Sequence, residues 1–247
     1  MKKIIGLIVL FALMTNCSND NNADNTSQTP EIQYVKKIIK DGVDQLYYEY
    51  DNGKIKKLTY YYFNDYSIYD YSDLDTLKVL NYSNDNEDLV GYRKNYKLDE
   101  NTIRQEYYSS DNLTNYRIYK YNSNGCGFYE INFYNLNIPS FRKGIFSYTE
   151  NCGYTAIYYD ENNQVISYQD IVTDGKNNPY YTNYVKDFLK VERLHNTVKN
   201  IDKNELGEIV NNSSYESTFI YNEFDYPIKE TRVYLNGITE VYTFEYY

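Results

Sequence analysis

Histidine and cysteine are nearly absent from this chain, which has one histidine, His195, and three cysteines among 247 residues. Nucleophilic catalysis by a Ser/His or Cys/His pair needs an accessible histidine, and protein zinc sites draw mainly on these two residue types. No G-x-S-x-G, P-loop or H-E-x-x-H motif is present either. We therefore expect no catalytic residues, no metal and no cofactor, and a structural or surface role for His195.

Basic residues are in the minority, with 25 Lys and Arg against 35 Asp and Glu and a net charge of −10. Loss of the N-terminal segment described next would remove two lysines and leave a net charge of −12. Binding to nucleic acid relies on clustered Lys and Arg that neutralise phosphates. We therefore expect no nucleic-acid partner, and we interpret the excess acid as solubilising surface charge.

Long apolar runs are missing apart from the one in "MKKIIGLIVLFALMTNC", where Lys2 and Lys3 precede an apolar stretch from Ile4 to Met14. That stretch is shorter than the roughly 20 apolar residues that a membrane-spanning helix needs. A basic start followed by a short apolar core is typical of an export signal. The sequence predicts a signal peptide over residues 1–16.

The end of this segment, "LMTNC", resembles the lipobox of bacterial lipoproteins, in which the cysteine carries the lipid and becomes the first mature residue. The resemblance implies lipidation of Cys17 and attachment to the outer membrane, although Asn16 departs from the usual Gly, Ala or Ser. The alternative is a secreted protein whose cysteine falls here by chance.

Residues 17–30 are almost entirely polar and predict a disordered tether. Their opening Ser-Asn-Asp resembles the export tag of Bacteroidota surface lipoproteins, which implies display on the cell surface.

Tyrosine supplies 35 residues and favours strands, as do the Ile, Val and Thr around it. A motif of aromatic, any residue, Tyr, Asp or Asn, and a turn recurs, as in "YEYDNGKI" at Tyr48, "YKYNSNGC" at Tyr119 and "FIYNEFDYPI" at Phe219. Further turn signals are Asp41-Gly42, Asp174-Gly175 and Asn236-Gly237. We expect residues 31–247 to form a single Tyr-rich all-β domain, an antiparallel meander of about fourteen strands that makes a strongly curled sheet or incomplete barrel.

One segment departs from the strand period. In "NPYYTNYVKDFLKVERLHN" apolar residues recur near helical spacing after Pro179, a residue suited to the first turn of a helix. The pattern predicts one short helix over residues 182–193.

The repeated hairpin unit, "DGKNNPYY" at Asp174 and the closing "FIYNEFDYPIKETRVYLNGITEVYTFEYY" resemble Bacteroidota lipoproteins with YD-like β-hairpin repeats and a porin-like β fold. The resemblance covers most of the mature chain and implies no known activity. A barrel that spans the membrane is disfavoured by the lipid anchor and by polar residues on both strand faces.

Cys126 and Cys152 are the cysteines left in the predicted domain, and each lies at a predicted hairpin turn. At about 4.8 Å per strand their Cα atoms would be about 7 to 10 Å apart, at or beyond the disulfide limit near 7 Å. A curled sheet would close that gap. Two outcomes stay open, a disulfide or two buried free thiols.

Acidic clusters such as "DYSDLD" at Asp70 lack the spacing of a calcium loop and are interpreted as solvated loops.

The tyrosines suit either cross-strand ladders or stacking against a glycan or protein ligand. We expect a monomeric, non-enzymatic binding module on the cell surface, anchored through lipid on Cys17. The alternatives are an accessory subunit of an envelope complex and, less favoured, a glycan-acting hydrolase.

Overall fold

A computed structural model describes residues 33–73, 76–121, 126–136, 140–179 and 195–247. Ile32–Tyr247 make one compact unit. The described residues form sixteen strands: β1 (Val35–Lys40), β2 (Val43–Asp51), β3 (Lys54–Tyr60), β4 (Asp65–Asp70), β5 (Thr76–Ser83), β6 (Leu89–Asp99), β7 (Thr102–Ser109), β8 (Asn112–Tyr121), β9 (Phe128–Asn135), β10 (Ser140–Tyr148), β11 (Tyr154–Tyr159), β12 (Val165–Asn177), β13 (His195–Asn204), β14 (Tyr215–Tyr221), β15 (Pro227–Tyr234) and β16 (Thr239–Tyr246).

The strands form a closed antiparallel barrel, because each pairs with the next along the chain and β1 pairs with β16. At the seam Ile38 lies opposite Phe244. The predicted all-β antiparallel meander is confirmed. The prediction of an incomplete barrel is wrong, and so is the count of about fourteen strands, since the described residues alone contain sixteen. Pairing between the first and last strands leaves no local signal in the sequence, which explains why closure was not predicted.

The turns show why hairpins were predictable and where a turn carried no sequence signal. Asp41-Gly42 and Asn52-Gly53 each have positive φ at both positions, as a two-residue type I′ hairpin turn requires. Ser110 and Asp111 adopt the same geometry, with φ of 47° and 66°, although neither is Gly or Asn. The turn predicted at Asp174-Gly175 is wrong. These residues lie inside β12, where the pairing with β13 is irregular.

The predicted helix over residues 182–193 lies outside the described residues. Among the residues that are described, no helix is long and apolar enough to cross a membrane.

Two apolar clusters form the core, and both lie on the strand face that turns into the barrel. The first comes from β16 and β1 to β5: Val35, Ile38, Tyr48, Ile55, Leu58, Tyr69, Leu77, Val79 and Phe244. The second comes from β7 to β12: Ile103, Tyr121, Phe128, Ile131, Phe146, Tyr154, Ala156 and Ile171. Most of these residues lie nearer the turns that follow even-numbered strands, which we call the core end. The opposite end, where each odd-numbered strand joins the next, is the mouth.

Candidate ligand-binding cup at the barrel mouth

A cavity of about 560 Å³ lies near the mouth, beyond the second apolar cluster, where β8 to β12 form the wall. We call it the mouth cup. Its lining residues are Asn115, Tyr116, Arg117, Phe133, Tyr134, Asn135, Arg142, Tyr158, Ile166 and Ser167. The volume falls within the range of about 300 to 1,000 Å³ that is typical of small-molecule sites.

Strand register places two arginines on either side of a phenylalanine. Arg117 of β8 lies opposite Phe133 of β9, and Phe133 lies opposite Arg142 of β10. Directly opposed residues in antiparallel strands share a face, and neighbouring strands are about 4.8 Å apart. The Cα atoms of Arg117 and Arg142 are therefore about 10 Å apart by the same spacing. Phe133 packs against the second apolar cluster, so the row faces the barrel interior.

Aromatic rings hold the guanidinium of Arg117. Its central carbon lies 5.1 Å from the centre of the Tyr107 ring and 5.3 Å from that of Phe133. Its Nη1 group donates a hydrogen bond to the Tyr119 hydroxyl oxygen at 3.5 Å. Cation–π contacts of this kind are worth about 0.5 to 2 kcal/mol according to exposure. They leave the guanidinium positively charged while limiting the orientations it can take.

Arg142 is solvent-exposed. No hydrogen bond or ion pair connects it to another residue in the described ranges. The lining residues above include no Asp or Glu. The cup is therefore a local concentration of positive charge on a chain whose net charge is negative.

Another inward-facing arginine is in a different situation. Arg232 donates hydrogen bonds from Nε and Nη2 to Oε1 of Glu230 at 3.0 and 2.8 Å, and its guanidinium also faces the rings of Tyr215 and Tyr242. Burial acts to lower the pKa of Arg232, but the charge on Glu230 and the hydrogen bonds around it raise it overall. This arginine is neutralised within the wall, as a structural ion pair requires.

The floor of the cup is aromatic. Phe133 and Tyr158 line the cavity and also pack against the second apolar cluster. Asn115 and Asn135 lie opposite one another nearer the mouth and bring two carboxamides to the rim. Rings below, carboxamides at the rim and guanidinium groups at the side form a site for a ligand with one flat apolar face and several polar groups.

A second cavity, of about 490 Å³, lies on the opposite strand face and is lined by Asp70, Ser72, Asp73, Thr76, Lys78, Lys94, Tyr96 and Glu106. Hydrogen bonds from the backbone and side chain of Ser72 lower the pKa of Asp70. Carboxylates and ammonium groups of this cavity lie side by side. Its three carboxylates and two ammonium groups largely offset one another, so it makes a weaker candidate for binding a charged ligand.

Stacked tyrosines and cations cover the outer wall. Three cross-strand pairs stack nearly parallel, with ring centres 5.1, 4.6 and 4.4 Å apart: Tyr66–Tyr82, Tyr92–Tyr108 and Tyr116–Tyr134. A Lys or Arg lies over one ring of each pair: Lys57 over Tyr66, Lys78 over Tyr92 and Arg104 over Tyr116. Such pairs stabilise neighbouring strands, as the sequence reading of the tyrosines allowed.

Of the residues singled out from the sequence, Cys126, Cys152 and His195 lie away from the cup. Cys17 is outside the described residues. Cys126 and Cys152 form a disulfide at the core end with their Cα atoms 5.1 Å apart. This distance is shorter than the 7 to 10 Å expected for a flat sheet, because the wall curls into a closed barrel and brings the two turns together. His195 begins β13, and its Nδ1 lies 3.1 Å from the carbonyl oxygen of Lys176, to which it donates.

Metal binding has no support in the described part of the chain, where no group of three or more His, Cys, Asp or Glu side chains could hold an ion. Asp70 and Asp73 of the acidic cluster instead line the second cavity.

Comparisons with known proteins place the chain in no family. No protein-family model matches it, and no curated protein matches it. A crystal structure of a porin-like protein from Bacteroides uniformis ATCC 8492 aligns with 86% of this chain and 98% of that one, with a TM-score of 0.41 and 10% sequence identity. At that TM-score the comparison carries no argument, and the barrel rests on the strand pairing described above.

Sequence reasoning did not find the cup. Arg117, Phe133 and Arg142 belong to three different strands and meet only through register. The available signal was indirect: Arg117 stands in the alternating "NYRIYKY" of β8, at a position whose neighbours two residues away face the barrel interior. A basic residue at an inward position needs either an ion-pair partner, as Arg232 has in Glu230, or a ligand.

Proposed function

We propose that this chain is a monomeric, non-enzymatic, lipid-anchored protein on the outer surface of the outer membrane, and that it binds a saccharide in the mouth cup. The observation that carries the proposal is the combination of Phe133 and Tyr158 rings with arginine and carboxamide groups in one cavity. A pyranose ring has an apolar C–H face that packs on an aromatic ring and hydroxyl groups that need polar partners around it. The cup offers both.

The outer wall supports attachment through lipid rather than by a spanning barrel. Charged side chains occupy the outward face in the middle of strands, including Lys94, Glu106 and Lys199. A Lys or Arg on the lipid-facing side of a barrel costs about 2 to 4 kcal/mol at the bilayer midplane. Under this proposal the barrel lies outside the bilayer and the lipid on Cys17 holds it to the membrane.

Anchoring is tested by Cys17→Ala, which we expect to move the protein from the membrane fraction to the soluble fraction. Membrane retention of the variant at the wild-type level would contradict the anchor.

Protease treatment of intact cells, with a periplasmic protein as control, tests which side of the outer membrane the protein occupies. Digestion of this protein alone supports surface display, whereas protection that is lost on cell lysis places it in the periplasm.

Saccharide binding is tested with the detergent-solubilised full chain on an array of neutral and acidic glycans. We expect binding to at least one glycan class and its loss in Phe133→Ala and in the milder Asn135→Ala, both in the cup. Tyr62→Ala, which removes a 78% exposed ring from the β3–β4 turn, should bind like the wild type. Absence of any glycan signal, or equal loss in all three variants, would refute a saccharide site in the cup.

The second candidate function is that of an accessory subunit in an envelope complex, and the outer-wall tyrosines favour it. Leu80 and Ile68 alternate with charged and aromatic groups on this wall, a composition that also suits protein contacts. Mild crosslinking in cells separates the two functions, because an accessory subunit yields a stoichiometric protein partner and a saccharide receptor does not.

A further inference from the structure

We infer that the mouth cup recognises an acidic saccharide, one whose sugar ring carries a carboxylate or a sulfate group, through Arg117 and Arg142. This inference rests on the proposed saccharide site and adds the chemical class of its ligand. It starts from the charge of the cup, which has two arginines and, among the described residues that line it, no carboxylate.

Arg142 differs from Arg232, an inward-facing arginine that has a structural role. Arg232 is bound through two nitrogens to Glu230, whose side chain is 7% exposed. Arg142 is exposed, with no hydrogen bond or ion pair to a described residue. Its planar fork matches a carboxylate or sulfate.

The row formed by Arg117, Phe133 and Arg142 gives the ligand its shape. With strands about 4.8 Å apart, one ring stacked on Phe133 has a guanidinium to each side. Arg117 is already oriented by the rings of Tyr107 and Phe133, which reduces the ordering cost of binding. Arg142 approaches the ring from the neighbouring strand, β10.

The size and lining of the cup favour a sugar acid over a bare anion. A cavity of about 560 Å³ is far larger than one phosphate or sulfate ion needs. Phe133, Tyr158 and the carboxamides of Asn115 and Asn135 would have no function toward such an ion, whereas a sugar ring and its hydroxyl groups engage them all.

The test is calorimetric titration of the full chain in detergent with pairs of saccharides that differ only in charge. The pairs are oligogalacturonate with its methyl ester, and chondroitin sulfate oligosaccharide with its desulfated and carboxyl-reduced form. We expect the acidic member of at least one pair to bind about 10- to 100-fold more tightly, the range given by one charge-assisted hydrogen bond of about 1.5 to 3 kcal/mol. Inorganic sulfate should bind far more weakly than either acid.

The variants assign that preference to the cup. The Arg142 side chain has no hydrogen bond or ion pair in the described ranges. Arg142→Gln should therefore reduce affinity for the acidic saccharide about tenfold and leave affinity for its neutral partner unchanged. Arg117→Gln should do the same to a larger extent. Lys229→Gln, which removes one positive charge from the outward face of β15, should leave both affinities at the wild-type value.

The outcomes separate the two proposals. Equal affinity for the acidic and neutral members would overturn the acidic ligand and leave the saccharide site standing. Failure of every member to bind would overturn the saccharide site itself. Binding of inorganic sulfate as tight as that of the acids, or a preference that survives both arginine substitutions, would also overturn this inference.

Discussion

Tyr158 lies directly opposite Gly144 in the pairing of β10 with β11, and its ring occupies the space that a side chain at residue 144 would need. A Cβ at that position would stand 3.0 Å from Cε1 of Tyr158 and 2.9 Å from Cγ2 of Ile131. Glycine within a strand often marks such a close approach. The missing side chain therefore lets Tyr158 lie across the neighbouring strand, where it joins the core and lines the cup.

Gly144→Ala should disturb both the core packing and the cup lining at Tyr158. The neighbouring Ile131 and Tyr158 side chains must shift to admit the methyl group, and overpacking of a tight core typically costs about 1 to 3 kcal/mol. At about 2 to 4 °C per kcal/mol for a domain of this size, Tm should fall by several degrees in thermal unfolding followed by circular dichroism. Ser147→Ala, on the exposed face of the same strand, is the control and should not change Tm. Equal Tm for both variants would contradict the crowding.

Glu106 should make folding sensitive to acid. Burial acts to raise its pKa, but hydrogen bonds from Tyr108 and Tyr96 and the charge of Arg104 outweigh it and lower the pKa below 4.5. The unfolded chain then binds the proton more readily than the folded one. Stability from this group is present above pH 4.5 and is lost as the pH falls through the lower folded pKa.

The measurement is the free energy of unfolding in urea at pH 7 and at several values below 4.5. Glu106→Gln should be less stable than the wild type at pH 7, because it removes a charged acceptor from an almost buried network, and should lose less on acidification. Glu216→Gln, an exposed partner of Lys199, should follow the wild-type curve. A Glu106→Gln curve parallel to that of the wild type would exclude Glu106 as the group responsible.

Much of the wall could be predicted because hairpins are encoded locally. Asn52-Gly53 adopts the positive φ angles that this dipeptide favours, and the alternate residues Tyr242, Phe244 and Tyr246 share the strand face that packs into the core. Period-two alternation and turn chemistry act over a few residues. Strand type and face therefore followed from the sequence.

Closure and the cup could not be predicted, because both depend on register between strands. Whether β1 meets β16 depends on twist accumulated around the whole wall. Arg117 and Arg142 are placed on either side of Phe133 only by two successive pairings. A register change of one residue at either pairing would turn an arginine to the outer wall, and no local pattern distinguishes the two arrangements.

The disulfide should make a measurable contribution to stability. Cys126 and Cys152 are 26 residues apart in sequence, and cross-linking a loop of that size restricts the unfolded chain by about 3 kcal/mol. The double variant Cys126→Ser and Cys152→Ser should lower Tm by about 6 to 12 °C. Reductant should lower the Tm of the wild type toward that of the variant and leave the variant unchanged. Two titratable thiols in the folded, unreduced full chain besides Cys17 would contradict the bond.

The barrel seam should be more sensitive than the strands beside it. Phe244 is 5% exposed and lies opposite Ile38, so its ring connects β16 to β1 and packs in the first apolar cluster. Phe244→Ala should cost about 3 to 5 kcal/mol from lost burial and the cavity left behind. Ile220→Ala, which removes a 55% exposed side chain from β14, should change stability by no more than about 0.5 kcal/mol.

Hydrogen exchange locates the effect of the Phe244 substitution. If the Phe244 ring holds the seam, the amides of β1 and β16 should exchange faster in Phe244→Ala than in the wild type. The amides of β7 and β8, on another part of the wall, should lose protection only as far as global unfolding becomes more frequent. An opened seam also leaves two unpaired strand edges, which template association between chains, so the variant should aggregate at lower concentrations than the wild type. Uniform acceleration around the barrel would mean that the wall unfolds as one unit and that closure does not depend on Phe244.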